Sequence, residues 1–149
     1  MPLVRIILGS QSDLKHAEKA IDQLNLLNIS SDLHIASAHR TPDRVRQLID
    51  TAPGDGVKVI IAMAGMAAHL PGVIASMTIL PVIGVPLSGS ALNGVDALYA
   101  VVQMPPGIPV ATVAIDGAKN AAVLAAQIIA LQDNALNESL IQMRKDFYK

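Results

Sequence analysis

Short runs of β-branched and aliphatic residues alternate with segments of helical period along the whole sequence. The predicted strands are each followed by a loop that contains Gly, Ser or Pro, and they are Leu3–Leu8, Ser31–Ala36, Lys58–Ala62, Pro81–Val85 and Val110–Ala114. Strands that are separated by helices pair in parallel, and the crossover helices cover both faces of the sheet. The alternation therefore predicts an α/β fold with three layers. Without a repeat or a linker, we expect one domain over residues 1–149.

Six segments carry apolar residues at helical spacing. The predicted helices are Asp13–Leu27, a helix that begins at Thr41-Pro42 and ends near Pro53-Gly54, one that begins at His69 or Leu70, Gly94–Val102, Gly117–Leu131 and a C-terminal helix, Asn134–Phe147, capped by Asn134. Five strands favour a flavodoxin-like order, in which the first strand lies between the second and the third. The alanine-rich fifth helix can approach either the sheet or another subunit closely. The C-terminal helix can likewise dock on its own chain or on a neighbour.

The composition excludes several classes of protein. Eleven basic and twelve acidic residues give a net charge of −1, and without a basic stripe a nucleic-acid partner is not expected. The apolar runs are interrupted before the roughly 18 to 20 residues of a membrane span. The absence of cysteine excludes disulfides and thiolate catalysis. The sequence enters a strand pattern at once without a signal peptide, so we expect a cytoplasmic protein.

The share of apolar residues is high for a domain of this size. Hydrophobic residues make up 52% of the chain and charged residues only 15%. A chain of this length buries roughly 68 to 70% of its surface on folding, so part of the apolar surplus must face outward. A second subunit would cover such a surface. We therefore expect a homo-oligomer, and a monomer with an apolar surface is the alternative.

Three polar loops follow the first three predicted strands. They are Gly9–Asp13, Ser37–Pro42 and Ala64–Leu70. Ligands of open parallel sheets bind outside the carboxyl ends of the strands, near the point where the winding direction reverses. In a flavodoxin-like order the three loops meet at one edge of the sheet. This convergence predicts a ligand site.

The first loop combines a Gly, two hydroxyls and the start of a helix. Backbone N–H groups at a helix N-terminus favour an anion, and a phosphate fits this description. The loop is neither a Walker loop nor a G-x-G-x-x-G fingerprint. Ser10 or Ser12 can alternatively serve only as a helix cap. Asp13 can complement the helix dipole or accept hydrogen bonds from ribose hydroxyls.

The second loop places His39 and Arg40 directly before the Thr41-Pro42 helix start. A cation at this end of a helix costs about 0.3 to 1 kcal/mol, and an anionic ligand would reverse the sign. Arg40 is therefore a candidate phosphate clamp, and simple exposure to solvent is the alternative. A histidine can exchange protons near neutral pH. His39 is either a proton shuttle or a buried, hydrogen-bonded residue.

The third loop consists of Gly, Ala and Met before His69. Small residues with free backbone N–H groups suit a flat ring or a small neutral molecule, although close packing of a helix on the sheet would also select them. His39 and His69 lie thirty residues apart without a carboxylate at metal-ligand spacing, which argues against a metal site. His16 and His34 are interpreted as ordinary surface or strand residues.

Four motifs in order resemble class I PurE, the N5-carboxyaminoimidazole ribonucleotide mutases of purine biosynthesis. They are Gly9–Asp13, Ser37–Pro42, Ala67–Gly72 and Val102–Val110, and the likeness covers nearly the whole chain. The related aminoimidazole ribonucleotide carboxylases generally lack the string Ala-Ala-His-Leu-Pro-Gly, so the resemblance favours the mutase. It implies an isomerase that moves a carboxylate from N5 to ring carbon C4 by decarboxylation and recarboxylation, without a metal or an organic cofactor.

The resemblance also implies roles for individual residues. His39 would transfer the protons. Arg40 and Ser12 would bind the phosphate and Asp13 the ribose of the ribonucleotide. The remaining expected substrate-binding residues are Ser10, Ser37, Gly65, Ala67, His69 and Leu70. Family members are usually octamers, and the ATP-dependent enzyme that makes the substrate would be a transient partner.

One position departs from the family pattern. Met66 stands where the commonest family form has a second Gly, so Met66 would narrow the pocket. The alternative function from another class is a non-catalytic, flavodoxin-like module that binds a nucleotide or flavin phosphate. With only three aromatic side chains in the sequence, a flavin stacking site is poorly supported, and such a module has no use for His39 beside Arg40.

Overall fold

The computed structural model describes all residues, 1–149, and contains one sheet of five parallel strands. The strands are β1 (Val4–Leu8), β2 (Ser31–Ile35), β3 (Val59–Gly65), β4 (Val82–Leu87) and β5 (Ala111–Thr112). Their order is β2-β1-β3-β4-β5, with β1 between β2 and β3. The predicted α/β, flavodoxin-like architecture is confirmed.

Six α-helices connect and follow the strands. They are α1 (Leu14–Leu26), α2 (Pro42–Thr51), α3 (Leu70–Ala75), α4 (Val95–Val102), α5 (Ala118–Ala130) and α6 (Asn134–Asp146). A short 3-10 turn, Gln11–Asp13, precedes α1. The sequence pattern predicts the cap of α6 at Asn134, and this is wrong by one residue: Asp133 is the N-cap, because its carboxylate accepts a hydrogen bond from the backbone N–H of Leu136. No helix combines the length and the apolar character that a bilayer span requires.

Two apolar cores lie on the two faces of the sheet, because side chains of a strand alternate between its faces. Ile6 packs in the core that α1, α5 and α6 cover, and Ile7 packs in the core that α2, α3 and α4 cover. The alanines of α5 face the sheet and α1. Of the two predicted uses of this helix, close approach to the sheet is therefore the one observed. Leu136 and Leu140 of α6 join the same core, so α6 docks on its own chain.

The strands differ in length from the sequence prediction at the edge that carries the loops. Strand β3 continues to Gly65, because Met63, Ala64 and Gly65 extend the ladder with β4. Strand β5 pairs with β4 only at Ala111 and Thr112. Strands β3 and β4 therefore extend further toward the loop edge of the sheet than β5 does.

Candidate functional site

A pocket of about 410 Å³ lies at the carboxyl edge of the sheet, between the loops that follow β1, β2, β3 and β4. It is lined by Gly9, Ser10, Ser12, Asp13, Ser37, Ala38, His39, Arg40, Ala64, Gly65, Met66, Ala67, His69, Leu70, Ser88, Gly89 and Ser90. All ten residues that the sequence singled out as site residues are in this set. Its titratable groups are one carboxylate, two imidazoles and one guanidinium.

The first loop turns from β1 into α1 through the 3-10 turn. The Ser10 hydroxyl accepts a hydrogen bond from the backbone N–H of Ser12, and the two serine hydroxyls lie 2.9 Å apart. Ser10 thus caps the turn while it also lines the pocket. Asp13 is the N-cap of α1 but accepts no backbone hydrogen bond there. Partial burial raises the pKa of Asp13, and the nearby charges of His16 and Lys15 act against this. An oxygen acceptor without a partner therefore faces the pocket.

The second loop is held by hydrogen bonds between its own residues. The Ser37 hydroxyl accepts from the backbone N–H of Arg40 at 3.1 Å, and the Thr41 hydroxyl oxygen accepts from the backbone N–H of Ser37 at 2.9 Å. The side chains of His39 and Arg40 are exposed in the pocket. His39 is therefore not buried, and the alternative prediction of a buried histidine is wrong.

The third loop begins where β3 ends. A Cβ on Gly65 would lie 3.3 Å from the carbonyl oxygen of Leu87, which favours the absence of a side chain there. Met66 has a φ of 53° and is 64% exposed. A non-glycine residue in this left-handed region is uncommon. Leu70 is buried under the pocket and begins α3, whereas Ala67 and His69 are exposed.

The second and third loops touch through their histidines. Nε2 of His39 lies 2.8 Å from Nδ1 of His69. One of these nitrogens carries the proton and the other accepts it. When Nε2 of His39 is the donor, Nδ1 of the same ring is free to accept a proton from a ligand. In that tautomer, the pair leaves one ring nitrogen of His39 available to a ligand in the pocket.

The sequence reasoning missed the fourth loop, Ser88–Ser90, which follows β4 and lines the same pocket. Its signal was a Ser-Gly-Ser string shortly after the predicted strand Pro81–Val85. The interpretation of His16 as a surface residue is also wrong, because it is only 8% exposed. His34 does lie on a strand, β2.

A larger cavity, of about 1020 Å³, lies at the opposite edge, where β4 and β5 begin. Its lining is mainly apolar, and Asp50 is the only titratable residue in it. Proton-transfer chemistry is therefore better served by the smaller pocket. No group of three or more His, Cys, Asp or Glu side chains is arranged to hold a metal ion.

Comparisons with known proteins agree with this geometry. The AIR carboxylase family model matches residues 3–149. The N5-carboxyaminoimidazole ribonucleotide mutase of Pyrococcus abyssi is 52% identical over 146 residues, which cover 98% of this chain and 84% of that protein. The Escherichia coli K12 protein of the same name is 50% identical over 144 residues, 95% of this chain and 85% of that protein. The crystal structure of Treponema denticola PurE superposes with a TM-score of 0.91 at 33% identity and covers 99% of this chain and 92% of that one. The chain, as its motifs indicated, belongs to the AIR carboxylase family.

Proposed function

We propose that this chain is an N5-carboxyaminoimidazole ribonucleotide mutase of purine biosynthesis. As an isomerase it would convert N5-carboxyaminoimidazole ribonucleotide to 4-carboxy-5-aminoimidazole ribonucleotide, and it would act in the cytoplasm. Relatives that carry this name are 50% identical or more over nearly the whole chain. The observation that carries the proposal is the hydrogen-bonded pair His39 and His69, in a pocket that also holds Arg40 and Asp13.

His39 would act as both general acid and general base. Protonated His39 donates its proton to N5 while the bond between N5 and the carboxylate carbon breaks, and carbon dioxide leaves. The bond electrons stay on N5, so aminoimidazole ribonucleotide forms. Its C4 then attacks carbon dioxide, and the new carbon–carbon bond leaves one proton too many on C4. Neutral His39 removes this proton, which restores the aromatic ring and the starting state of the enzyme.

The tautomer of His39 matters for this cycle. With Nε2 of His39 donating to Nδ1 of His69, the proton exchanged with the substrate is carried on Nδ1 of His39. In the opposite tautomer, Nδ1 of neutral His39 would already carry a proton and could not accept another. We therefore assign His69 the role of an acceptor that keeps His39 in the reactive form, in addition to its place in the wall of the pocket.

The polar side of the pocket would bind the ribose phosphate. Arg40 can pair with phosphate oxygens in two parallel hydrogen bonds, and the hydroxyls of Ser10 and Ser12 lie within the same pocket. Asp13 would accept hydrogen bonds from ribose hydroxyls, which supply the partners that its carboxylate lacks. Ser37 would contribute by fixing the backbone of Arg40 through their hydrogen bond.

The apolar side of the pocket would hold the base and the released carbon dioxide. Gly65 and Ala67 offer little bulk, and Leu70 closes the floor with a buried side chain. A released gas recombines efficiently only if it stays beside its acceptor, and a pocket wall without polar side chains does not recruit competing water. These residues would thereby favour recarboxylation at C4 over loss of carbon dioxide.

A comparison of two substrates tests the proposed function. The enzyme is supplied either with N5-carboxyaminoimidazole ribonucleotide or with aminoimidazole ribonucleotide and bicarbonate. We expect rapid formation of the C4-carboxylated product from the first and little from the second. Efficient carboxylation from the second mixture alone would move the chain to the carboxylase reaction, and failure with both would refute the assignment.

We also propose that residues 1–149 form one catalytic domain that assembles as a homo-octamer. Large apolar side chains are exposed at separate places, among them Ile79 after α3, Tyr99 on α4 and Leu131 at the end of α5. Contacts between copies would cover them. Native mass spectrometry is expected to give the mass of eight chains of 15.6 kDa each, and a monomer mass would contradict the octamer.

A further inference from the structure

The segment Ser88–Ser90 forms the fourth wall of the pocket and follows β4. Strand β5 pairs with β4 only as far as Gly84, three residues before β4 ends. Beyond Thr112, the last residue of β5, two backbone N–H groups still reach β4: Val113 donates to Gly84 at 3.2 Å and Asp116 donates to Pro86 at 2.8 Å. Ser88 is the first residue after β4 and is exposed, so no strand lies beside its backbone N–H group. Its hydrogen-bond acceptor is a side-chain oxygen rather than a carbonyl oxygen of a neighbouring strand.

Asp116 supplies the missing acceptor. One carboxylate oxygen accepts from the backbone N–H of Ser88 at 2.9 Å, and the other accepts from the Ser88 hydroxyl. Asp116 adopts a φ of 59°, a left-handed conformation that Asp tolerates better than most residues. Asp116 lies four residues beyond the end of β5. Its backbone bond to Pro86 and its carboxylate contact with Ser88 hold it beside the end of β4.

The same carboxylate lies next to helix α1, which begins at the first loop of the pocket. Nε2 of His16 is 3.8 Å from Oδ1 of Asp116, and Nδ1 of His16 is buried without a hydrogen-bond partner. Burial acts to raise the pKa of Asp116, but the two Ser88 hydrogen bonds and the charges of His16 and Lys19 hold it below the usual range. Asp116 is thus ionised at neutral pH and stands between two walls of the pocket.

We propose that Asp116 is a positioning residue that fixes the Ser88–Ser90 loop as the fourth wall of the ribonucleotide pocket. The inference rests on the proposed function. Because the Ser88 hydroxyl proton is engaged by Asp116, the Ser88 oxygen can only accept a hydrogen bond from a ligand. It therefore suits an N–H donor, such as the exocyclic amine of an aminoimidazole. Asp116 itself does not line the pocket.

Two substitutions separate positioning from backbone strain. Asp116→Gly removes the carboxylate and accepts the left-handed backbone without strain, whereas Asp116→Asn keeps an acceptor oxygen for the Ser88 N–H. We expect Asp116→Gly to raise KM for the ribonucleotide at least about fivefold, with kcat within about twofold. Hydrogen bonds to a charged group are stronger than neutral ones, so their loss would loosen the Ser88–Ser90 loop and weaken substrate binding. Asp116→Asn should recover most of the KM.

Hydrogen exchange at the Ser88 amide gives a readout that does not depend on turnover. It should be slow in the wild-type protein, at least about tenfold faster in Asp116→Gly and slow again in Asp116→Asn. The matched control is Asp133→Gly, which also removes a carboxylate that accepts a backbone N–H group, at the start of α6. This variant should lower the melting temperature and leave both KM and Ser88 exchange unchanged.

Calorimetric titration with aminoimidazole ribonucleotide measures binding directly in the same variants, and its Kd should follow the KM. An unchanged KM, an unchanged Kd or unaltered Ser88 exchange in folded Asp116→Gly would overturn the positioning role. Absence of mutase turnover in the wild-type protein, with tight ribonucleotide binding that weakens in Asp116→Gly, would instead count against the proposed function and support the positioning role.

Discussion

The imidazole rings of His39 and His69 meet edge to face, with Nε2 of His39 2.8 Å from Nδ1 of His69 and 74° between the ring planes. Two imidazolium rings could not form this hydrogen bond, because both nitrogens would then be donors. The bonded pair therefore holds at most one positive charge. This property suits a cycle in which one proton leaves the pair and later returns.

Replacement of His39 tests the proton transfer. His39→Asn keeps a polar side chain of smaller size but cannot carry a proton, so we expect kcat to fall by about 10² to 10⁴ while the ribonucleotide Kd stays within about threefold. Stopped assays and calorimetry measure the two quantities. His34→Asn, on a strand and outside the pocket, should leave kcat unchanged. A nearly normal rate in His39→Asn would remove the residue from the mechanism.

Replacement of His69 tests the tautomer argument. His69→Leu removes the acceptor of the His39 bond, and we expect kcat to fall about tenfold, the effect of a hydrogen bond of about 1 to 1.5 kcal/mol. His69→Asn places an amide oxygen near the former position of Nδ1 and should recover most of this loss. The pH dependence of kcat should shift in the Leu variant and return in the Asn variant. Equal rates in both variants would contradict the role as acceptor.

Replacement of Asp13 is expected to increase stability and to weaken substrate binding. Burial raises its pKa, so the ionised carboxylate destabilises the unliganded fold at neutral pH, and this cost disappears as the pH falls and the group becomes protonated. Asp13→Asn should therefore raise the melting temperature at pH 7 and raise KM at least about tenfold, because ribose hydroxyls lose a charged acceptor. The exposed Asp22 of α1 provides the control: Asp22→Asn should change neither quantity appreciably. A lower melting temperature in Asp13→Asn would refute the argument.

The parts of the site that the sequence predicted are those set by local rules. Gly9, Thr41-Pro42 and the strand periods place three loops at one edge, because strand ends and helix starts have strong signals over a few residues. His39 and Arg40 then follow from their position at a helix start. None of these inferences required knowledge of a contact between distant residues.

The parts that the sequence did not predict depend on such contacts. The partner of Ser88 is 28 residues away, and it is a partner only because β5 ends early and Asp116 turns left-handed. An arginine inside a strand, Arg5, gives no sign that it is buried, because its carboxylate partners lie 27 and 50 residues further along the chain. Pairing of this kind is a property of the folded topology.

Replacement of Met66 by glycine is expected to stabilise the fold. Relief of the left-handed conformation is worth about 1 to 2 kcal/mol, and the added freedom of Gly in the unfolded chain costs about 0.4 to 1 kcal/mol. Since the Met66 side chain is mostly exposed, we expect Met66→Gly to raise the free energy of unfolding by about 0.5 to 1 kcal/mol. Met66→Ala, which keeps the strained backbone, should give no gain. Denaturant titration distinguishes the two, and a gain in both variants would show that strain is not the cause.

Arg5 is held on β1 by a network that lies at the end of the sheet opposite the pocket. It is 3% exposed and donates to both oxygens of Asp32, to Asp55 at 2.8 Å and to the carbonyl of Leu48 at 2.7 Å. Burial acts to raise the pKa of Asp32, but the hydrogen bonds and charge of Arg5, with the imidazole of His34 3.0 Å away, hold it below the usual range. A carboxylate whose pKa is lowered by folding stabilises the fold where it is ionised.

Asp32→Asn should therefore destabilise the protein in a manner that depends on pH. At pH 7 we expect the free energy of unfolding to fall by about 2 kcal/mol, because the buried guanidinium loses its bidentate charged partner while Asp55 remains. The stabilisation by Asp32 is complete above its unfolded pKa of about 3.9 and is lost as the pH falls through the lower pKa of the folded state. The difference between wild type and Asp32→Asn in urea titrations should accordingly shrink below about pH 4, whereas the exposed control Asp22→Asn should show no such trend. A difference that stays constant down to pH 2 would mean that the charge of Asp32 is not what stabilises Arg5.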